Sequence, residues 1–477
     1  MKKGKNSISR RTFLKSSALA GAAGMVGSGS ALTSCSGGSG NAPANVPLKE
    51  RGTYYVPDLV DFATDGKELK AGIIGCGGRG SGAAFNFLNA ANGVTITALG
   101  DTFKDRVDNL AGKLKSEKNI DIPENKRFTG LDAYKQVIDS GVDVIIVATP
   151  PNFRPIHFQY ATEKGKHSFL EKPICVDPVG YRMIVASSRQ AAAKNLCVVT
   201  GTQRHHQRSY VESYKLIMDG AIGEITGGTV YWNGGMLWYR DRQPGWSDGE
   251  WMIRDWVNWI WLSGDHIVEQ HVHNLDVLTW FTGLKPKSAV GFGSRQRRVT
   301  GNQFDNFSID FEMENGIHVH SMCRQIHETV SNVSEFFQGT KGSWSSNGSP
   351  TGNAIIKDLK GNTVWVFDGE AERANYKQTD PYTLEHVNWI NHIRSGKPIE
   401  QASETAVANM AAIMGRESAY TGVKVTWDEM TASPLDLYPK DIDLKNKMAI
   451  NGYGSGKEFK LHDFIHIPGK PQGNQTR

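Results

Sequence analysis

No apolar run reaches the roughly 20 residues needed to cross a bilayer, so the mature protein is not expected to be integral to a membrane. There is no CxxC pair and no cysteine or histidine set at zinc-ligand spacing. The five cysteines stand apart at Cys35, Cys76, Cys175, Cys197 and Cys323, so neither a disulfide framework nor a zinc site is expected. No His-Glu-x-x-His stretch occurs, and no metal is expected. Basic blocks are missing beyond the N-terminus. The 54 Lys and Arg nearly balance 49 Asp and Glu, for a net charge of +5, which argues against nucleic acid as a partner. What is present is an ordinary globular composition over 477 residues, too long for one core, so two domains with extensions are expected.

Residues 1–35 join a basic start and Ser9-Arg10-Arg11-Thr12-Phe13-Leu14-Lys15 to a weakly hydrophobic Ala/Gly-rich segment. This resembles a twin-arginine signal, which implies export of an already folded protein to the periplasm. Leu32-Thr33-Ser34-Cys35 resembles a lipobox and implies lipidation at Cys35, the one membrane anchor expected. Residues 36–67 read as a flexible tether and lead-in.

The apolar stretch Leu69 to Ile74 runs into Gly75-Cys76-Gly77-Gly78-Arg79-Gly80 and then into helix-compatible Ser81 to Ala90. Strand, tight turn and helix in that order make a dinucleotide site. Gly75 permits the turn, Gly77 and Gly78 let backbone N–H groups approach a pyrophosphate, and Gly80 allows the helix to pack close to the strand. A second strand, Val94 to Leu99, leads to Asp101, 21 residues past Gly80, where a carboxylate accepts from ribose hydroxyls and disfavours a 2′-phosphate. NAD is the expected cofactor. A third strand, Val142 to Ala148, delivers Thr149, Pro150 and Asn152 to the carboxyl edge.

This order of motifs, with Glu171-Lys172-Pro173 after the strand His167 to Leu170, Gly201-Thr202-Gln203-Arg204, and Ile393 to Pro398, resembles the Gfo/Idh/MocA oxidoreductases. The resemblance implies an α/β fold: an N-terminal Rossmann domain over 68–200 and a C-terminal α+β domain over 201–430 with an open, mostly antiparallel sheet. The tail 431–477 has no assignment. It also implies a homodimer or homotetramer formed through that sheet. Family members use the Glu-Lys-Pro lysine to hold the substrate hydroxyl, which maps onto Lys172, beside Glu171 at the cofactor. Their Asp-x-Gly-x-His-x-x-Asp pattern maps onto Glu269 to Asp276, with Glu269 in place of the aspartate and His271 in place of the glycine. His273 is then the candidate base, Lys172 stabilises the developing alkoxide, and Glu269 orients or tunes the histidine. A rival reading takes Asp265, His266, Glu269, His271 and His273 as metal ligands.

Beyond Gly201, apolar segments separated by Asn-Gly and Gly-Asn turns suggest antiparallel strands. Residues 232–261 carry seven tryptophans. Trp238, Tyr239 and Arg240, with Arg204 and His271, are candidates for contact with a carbohydrate substrate, because flat aromatic faces beside polar groups suit a sugar ring. An exported enzyme meets no obvious NAD pool, so a tightly held NAD is expected, reset within each cycle. Three readings stay open: oxidation of a sugar or glycoside hydroxyl, such as that at C3; redox-neutral glycoside hydrolysis by transient oxidation and elimination; and a non-enzymatic sugar-binding or sensor protein that retains NAD. The His-Gly-Leu-Gly-Pro motif associated with exported α-N-acetylgalactosaminidases of the family is absent.

Overall fold

The computed structural model describes residues 54–347 and 353–439. The signal, Cys35, the tether as far as residue 53 and the tail beyond 439 lie outside the described residues.

Six strands form the first sheet: β1 (Leu69–Ile74), β2 (Val94–Asp101), β3 (Arg127–Thr129), β4 (Val144–Val147), β5 (His167–Leu170) and β6 (Val198–Thr200). They lie in the order β3-β2-β1-β4-β5-β6, every pair parallel. Strand β4 is buried along its whole length because helices cover both faces of a parallel sheet, which is why its sequence is apolar without alternation. Strand order reverses between β1 and β4, and the crevice outside their carboxyl ends is where ligands bind in such sheets.

The second sheet has nine strands: β7 (Ile225–Gly234), β8 (Pro286–Ser294), β9 (Asn306–Met313), β10 (His318–Gln325), β11 (Asn332–Gly339), β12 (Gly342–Ser346), β13 (Ala354–Asp358), β14 (Thr363–Val366) and β15 (Val425–Thr426). Their order is β14-β13-β12-β11-β7-β10-β9-β8-β15, antiparallel except for the β7–β10 pair. Here the pattern does alternate. Phe307, Ile309, Phe311 and Met313 of β9 point inward, toward the helices Val272–Thr282 and Ala402–Thr421 that cover one face. The other face is open, with Phe292 75% exposed.

The two sheets share more than a linker. Helix Pro381–Ser395, which follows the second sheet in the chain, packs on helix Gly78–Ala90 of the first, with His386 and Trp389 against Phe87 and Phe169. Residues 54–67 are tied to the same region. Asp61 accepts from the backbone N–H groups of Lys377 and Gln378, Thr64 donates to Asn391, and Tyr55 donates to Asn388. No helix among the described residues is long and apolar enough to cross a membrane.

Candidate active site

Each glycine of the Gly75–Gly80 turn has a separate cause. Gly75 adopts φ of 93°, and a Cβ there would stand 2.6 Å from the Thr149 nitrogen. A Cβ on Gly80 would meet the Gly75 carbonyl oxygen at 1.7 Å, so helix and strand close up only with glycine at this position. At Gly77 and Gly78 a Cβ would meet nothing within 4 Å. Gly77 caps helix Gly78–Ala90 without a side-chain hydrogen bond and the first turn holds no acidic residue, leaving its N–H groups to an anion.

That open space belongs to a cavity of about 370 Å³ bordered by Gly77, Gly78, Arg79, Asp101, Thr149 and Pro150. Asp101 accepts from the Cys76 N–H at 2.7 Å and the Phe103 N–H at 3.0 Å, donors that partly offset the burial that pushes its carboxyl up. Arg79 pairs with Glu171, and its Nη2 is buried without a hydrogen-bond partner. Open room beside a helix N-terminus, an unpartnered guanidinium nitrogen and a carboxylate at the end of β2 together fit a dinucleotide.

Lys172 follows β5. Its Nζ donates to the Glu269 backbone carbonyl at 2.6 Å and to the Glu269 carboxylate at 3.2 Å. The other Glu269 carboxylate oxygen accepts from the Gln270 amide. Glu269 is thus the partner of Lys172, whereas the sequence reading assigned it to His273. His273 lies at the start of helix Val272–Thr282, stacked on Trp232 at 5.5 Å between ring centroids. Burial, and then the charges of Lys172, Arg204 and His271, hold its imidazole well below the usual histidine range, so the ring is neutral.

The remaining sequence candidates fall in several places. Asn152 is buried and donates to the Trp261 carbonyl at 2.6 Å, holding the loop after β4 to the second half of the chain. Arg204 is buried in an ion pair with Glu335 and lies over the Trp232 ring at 5.8 Å. His271 is fully buried between Ser321 at 2.6 Å and Asn274 at 3.2 Å, a structural environment. Trp238 and Arg240 border the nucleotide cavity, while Tyr239 is 45% exposed and does not line it. The metal reading has no support in the geometry. Asp265 and His266 turn toward Arg298 and Tyr420, and no three His, Cys, Asp or Glu side chains converge among the described residues.

Two functional supports escape a sequence reading. Buried Arg154 donates to the carbonyls of Thr149, Glu171 and Pro173 at 2.7–2.8 Å, fixing the loop after β4 to the residues either side of Lys172. Glu335 accepts from Arg204, Asn274, Tyr210 and Ser346, locking the layer beneath Trp232 and His273. The helical start at Arg154 and the strand position of Glu335 give no local signal of either role.

A parallel sheet in this strand order, with a glycine-cradled cavity at the switch point and a mostly antiparallel sheet carrying His273, defines an NAD-binding oxidoreductase of two-sheet design. Residues 69–205 match the oxidoreductase family with an NAD-binding Rossmann fold, and residues 210–345 match the GFO/IDH/MocA C-terminal domain. The chain belongs to the Gfo/Idh/MocA family. Residues 7–27 match a twin-arginine translocation signal. The scyllo-inositol 2-dehydrogenase (NAD(+)) of Bacillus subtilis is 23% identical over 237 residues, 50% of this chain and 59% of that protein. A glycosyl hydrolase family 109 protein of Solibacter usitatus is 32% identical over 166 residues, 35% of this chain and 33% of that one. The chain therefore spans under two thirds of these curated relatives. Among solved structures, aldose-aldose oxidoreductase from Caulobacter crescentus aligns with a TM-score of 0.60 at 17% identity, covering 75% of this chain and 99% of that one. Scyllo-inositol dehydrogenase from Lactobacillus casei, with NAD(H) and scyllo-inositol bound, aligns at 0.57 with 19% identity, covering 77% and 100%.

Proposed function

We propose that the protein oxidises a ring hydroxyl of a sugar or glycoside, with its NAD held through many turnovers. The observation that supports this most is Lys172 reaching across from the end of β5 to Glu269, beside a neutral, buried His273. Held by Gly77, Gly78, Arg79 and Asp101, NAD would supply the hydride acceptor for the carbon bearing the hydroxyl. His273 takes the hydroxyl proton as the hydride departs. Lysine has three N–H donors; two of those on Lys172 face Glu269, leaving the third to hold the substrate oxygen and stabilise its developing negative charge. Arg154 fixes the backbone on both sides of that ammonium, limiting the directions it can take.

Redox-neutral glycoside hydrolysis is a second reading, favoured by the likeness to the family 109 protein. It uses the same groups, since oxidation next to a C–H acidifies it for elimination of the glycosidic oxygen. The exported protein is further proposed to be lipidated at Cys35 and to assemble through the open sheet face, where Val290, Phe292 and Phe336 are exposed. Mass spectrometry of the mature N-terminus and light scattering test these two points.

The deciding experiment is the ultraviolet spectrum of protein purified without added cofactor, before and after mixing with a panel of glycosides. A reduced band near ~340 nm with one compound supports the dehydrogenase, and free sugar released without that band supports the hydrolase. Lys172→Met should abolish either signal by about 10²–10³-fold while nucleotide stays bound; equal turnover in that variant would overturn the assignment.

A further inference from the structure

One wall of the nucleotide cavity comes from neither the glycine loop nor the first sheet. The chain leaving β7 crosses the cavity between Gly235 and Asn258, placing Trp238, Arg240, Ile253, Arg254 and Trp256 in its lining. The crossing is internally braced. The Arg240 N–H donates to Asp255 at 2.8 Å, the Trp251 indole to the Arg240 carbonyl at 2.8 Å, and the Asn258 amide to the Trp238 carbonyl at 3.2 Å. It is also clasped to the first sheet's side. The Arg254 guanidinium meets both carboxylate oxygens of Asp105, at 3.0 and 3.2 Å, and lies 3.8 Å from the Phe103 ring centroid.

Two lining side chains, those of Trp238 and Arg240, lack such a clasp and lie against each other, the guanidinium 5.5 Å over the indole ring. Trp238 is 45% exposed, and the Arg240 guanidinium forms no ion pair among the described residues. Arg106, Arg240 and Arg254 all border the one cavity, and Asp105 lies beside two of them. Arg254 is already paired with Asp105 and Glu250, and Arg106 lies 3.9 Å from Asp105, so Arg240 is the cation of the three left to meet a dianionic pyrophosphate. Trp238 and Trp256 meet edge to face at 6.1 Å and add an aromatic wall at the Asp101 end, the adenosine side in a sheet of this order.

We propose that Gly235–Asn258 is a strap over the adenosine diphosphate half of the dinucleotide, with Arg240 and Trp238 as binding residues, and that this strap keeps NAD from dissociating. The inference rests on the dinucleotide reading above. It also reassigns two side chains that the sequence had offered to the sugar: an aromatic face beside a cation serves a nucleotide as well as a pyranose, and position decides between them.

The test uses the full chain, freed of copurified nucleotide, and measures by calorimetry the affinity for ADP-ribose and, separately, for nicotinamide mononucleotide. Arg240→Ala and Trp238→Ala change exposed side chains, and unaltered melting temperatures show that the fold is kept. Each should weaken ADP-ribose binding by about tenfold or more. Nicotinamide mononucleotide binding should stay as it was, and Arg240→Lys should recover part of the ADP-ribose loss. Wild-type binding of ADP-ribose with equal affinity in both variants overturns the strap and leaves the dinucleotide reading standing. A wild type that binds neither ADP-ribose nor NAD overturns both.

Discussion

His273 shows how burial sets chemistry at the level of one side chain. Removing an imidazole from water disfavours its charged form, so its pKa falls below the ordinary value and the neutral base persists as the pH drops. Expected, then, is a kcat/KM that stays level on the acid side, between about pH 7.5 and 5.5, as far as this group governs it. An acid limb near the usual histidine pKa that disappears in His273→Gln would contradict that. Glu335 carries a stability prediction. Glu335→Gln leaves Arg204 buried without its counter-charge, at a cost of about 3–5 kcal/mol, read from denaturant unfolding. Catalytic candidates such as Lys172 and His273 were legible because short motifs carry them. Arg154 and Glu335 were not, because their partners are brought near only by the fold; Glu335 reaches Arg204 across 131 residues of sequence.

At the level of elements, the glycine turn before helix Gly78–Ala90 separates packing from binding within six residues. Gly80→Ala forces a methyl into the Gly75 carbonyl and should lower stability by about 1–3 kcal/mol or more. Gly78→Ala meets no protein atom, so its melting temperature should hold while ADP-ribose binding weakens, because the new methyl occupies phosphate space. If both variants lose stability alike, the cradle has been misread. Strand β1 was readable to the residue, its apolar run ending at the glycine turn, and β5 was placed by the Glu-Lys-Pro motif that follows it. The strap was not. Its tryptophans are irregularly spaced along loop and short helix, and no period distinguishes an aromatic lining a nucleotide cavity from one lining a sugar site.

Across the whole molecule, the resemblance carried the two-sheet plan into the sequence reading, but not the degree to which the halves are interleaved. Helix Pro381–Ser395 supplies Val387, Trp389 and Ile390 to the core of the first sheet, and β6 is bridged to Glu400. Full-length protein should therefore unfold in one calorimetric transition, and a fragment ending at Gln207 should bind a hydrophobic dye, because Phe87 and Phe169 lose their cover. Two well-separated transitions would show instead that the halves hold independently.

That interleaving also orders events during synthesis. The first sheet emerges early from the ribosome, yet the helix that seals it is translated after all but one strand of the second. The nucleotide-binding half, whose last strand ends at Thr200, therefore waits uncovered until Pro381–Ser395 is made. A chain stopped before that helix would leave Phe87 and Phe169 bare, so on the tight-cofactor reading a protein fit for export requires nearly the whole message.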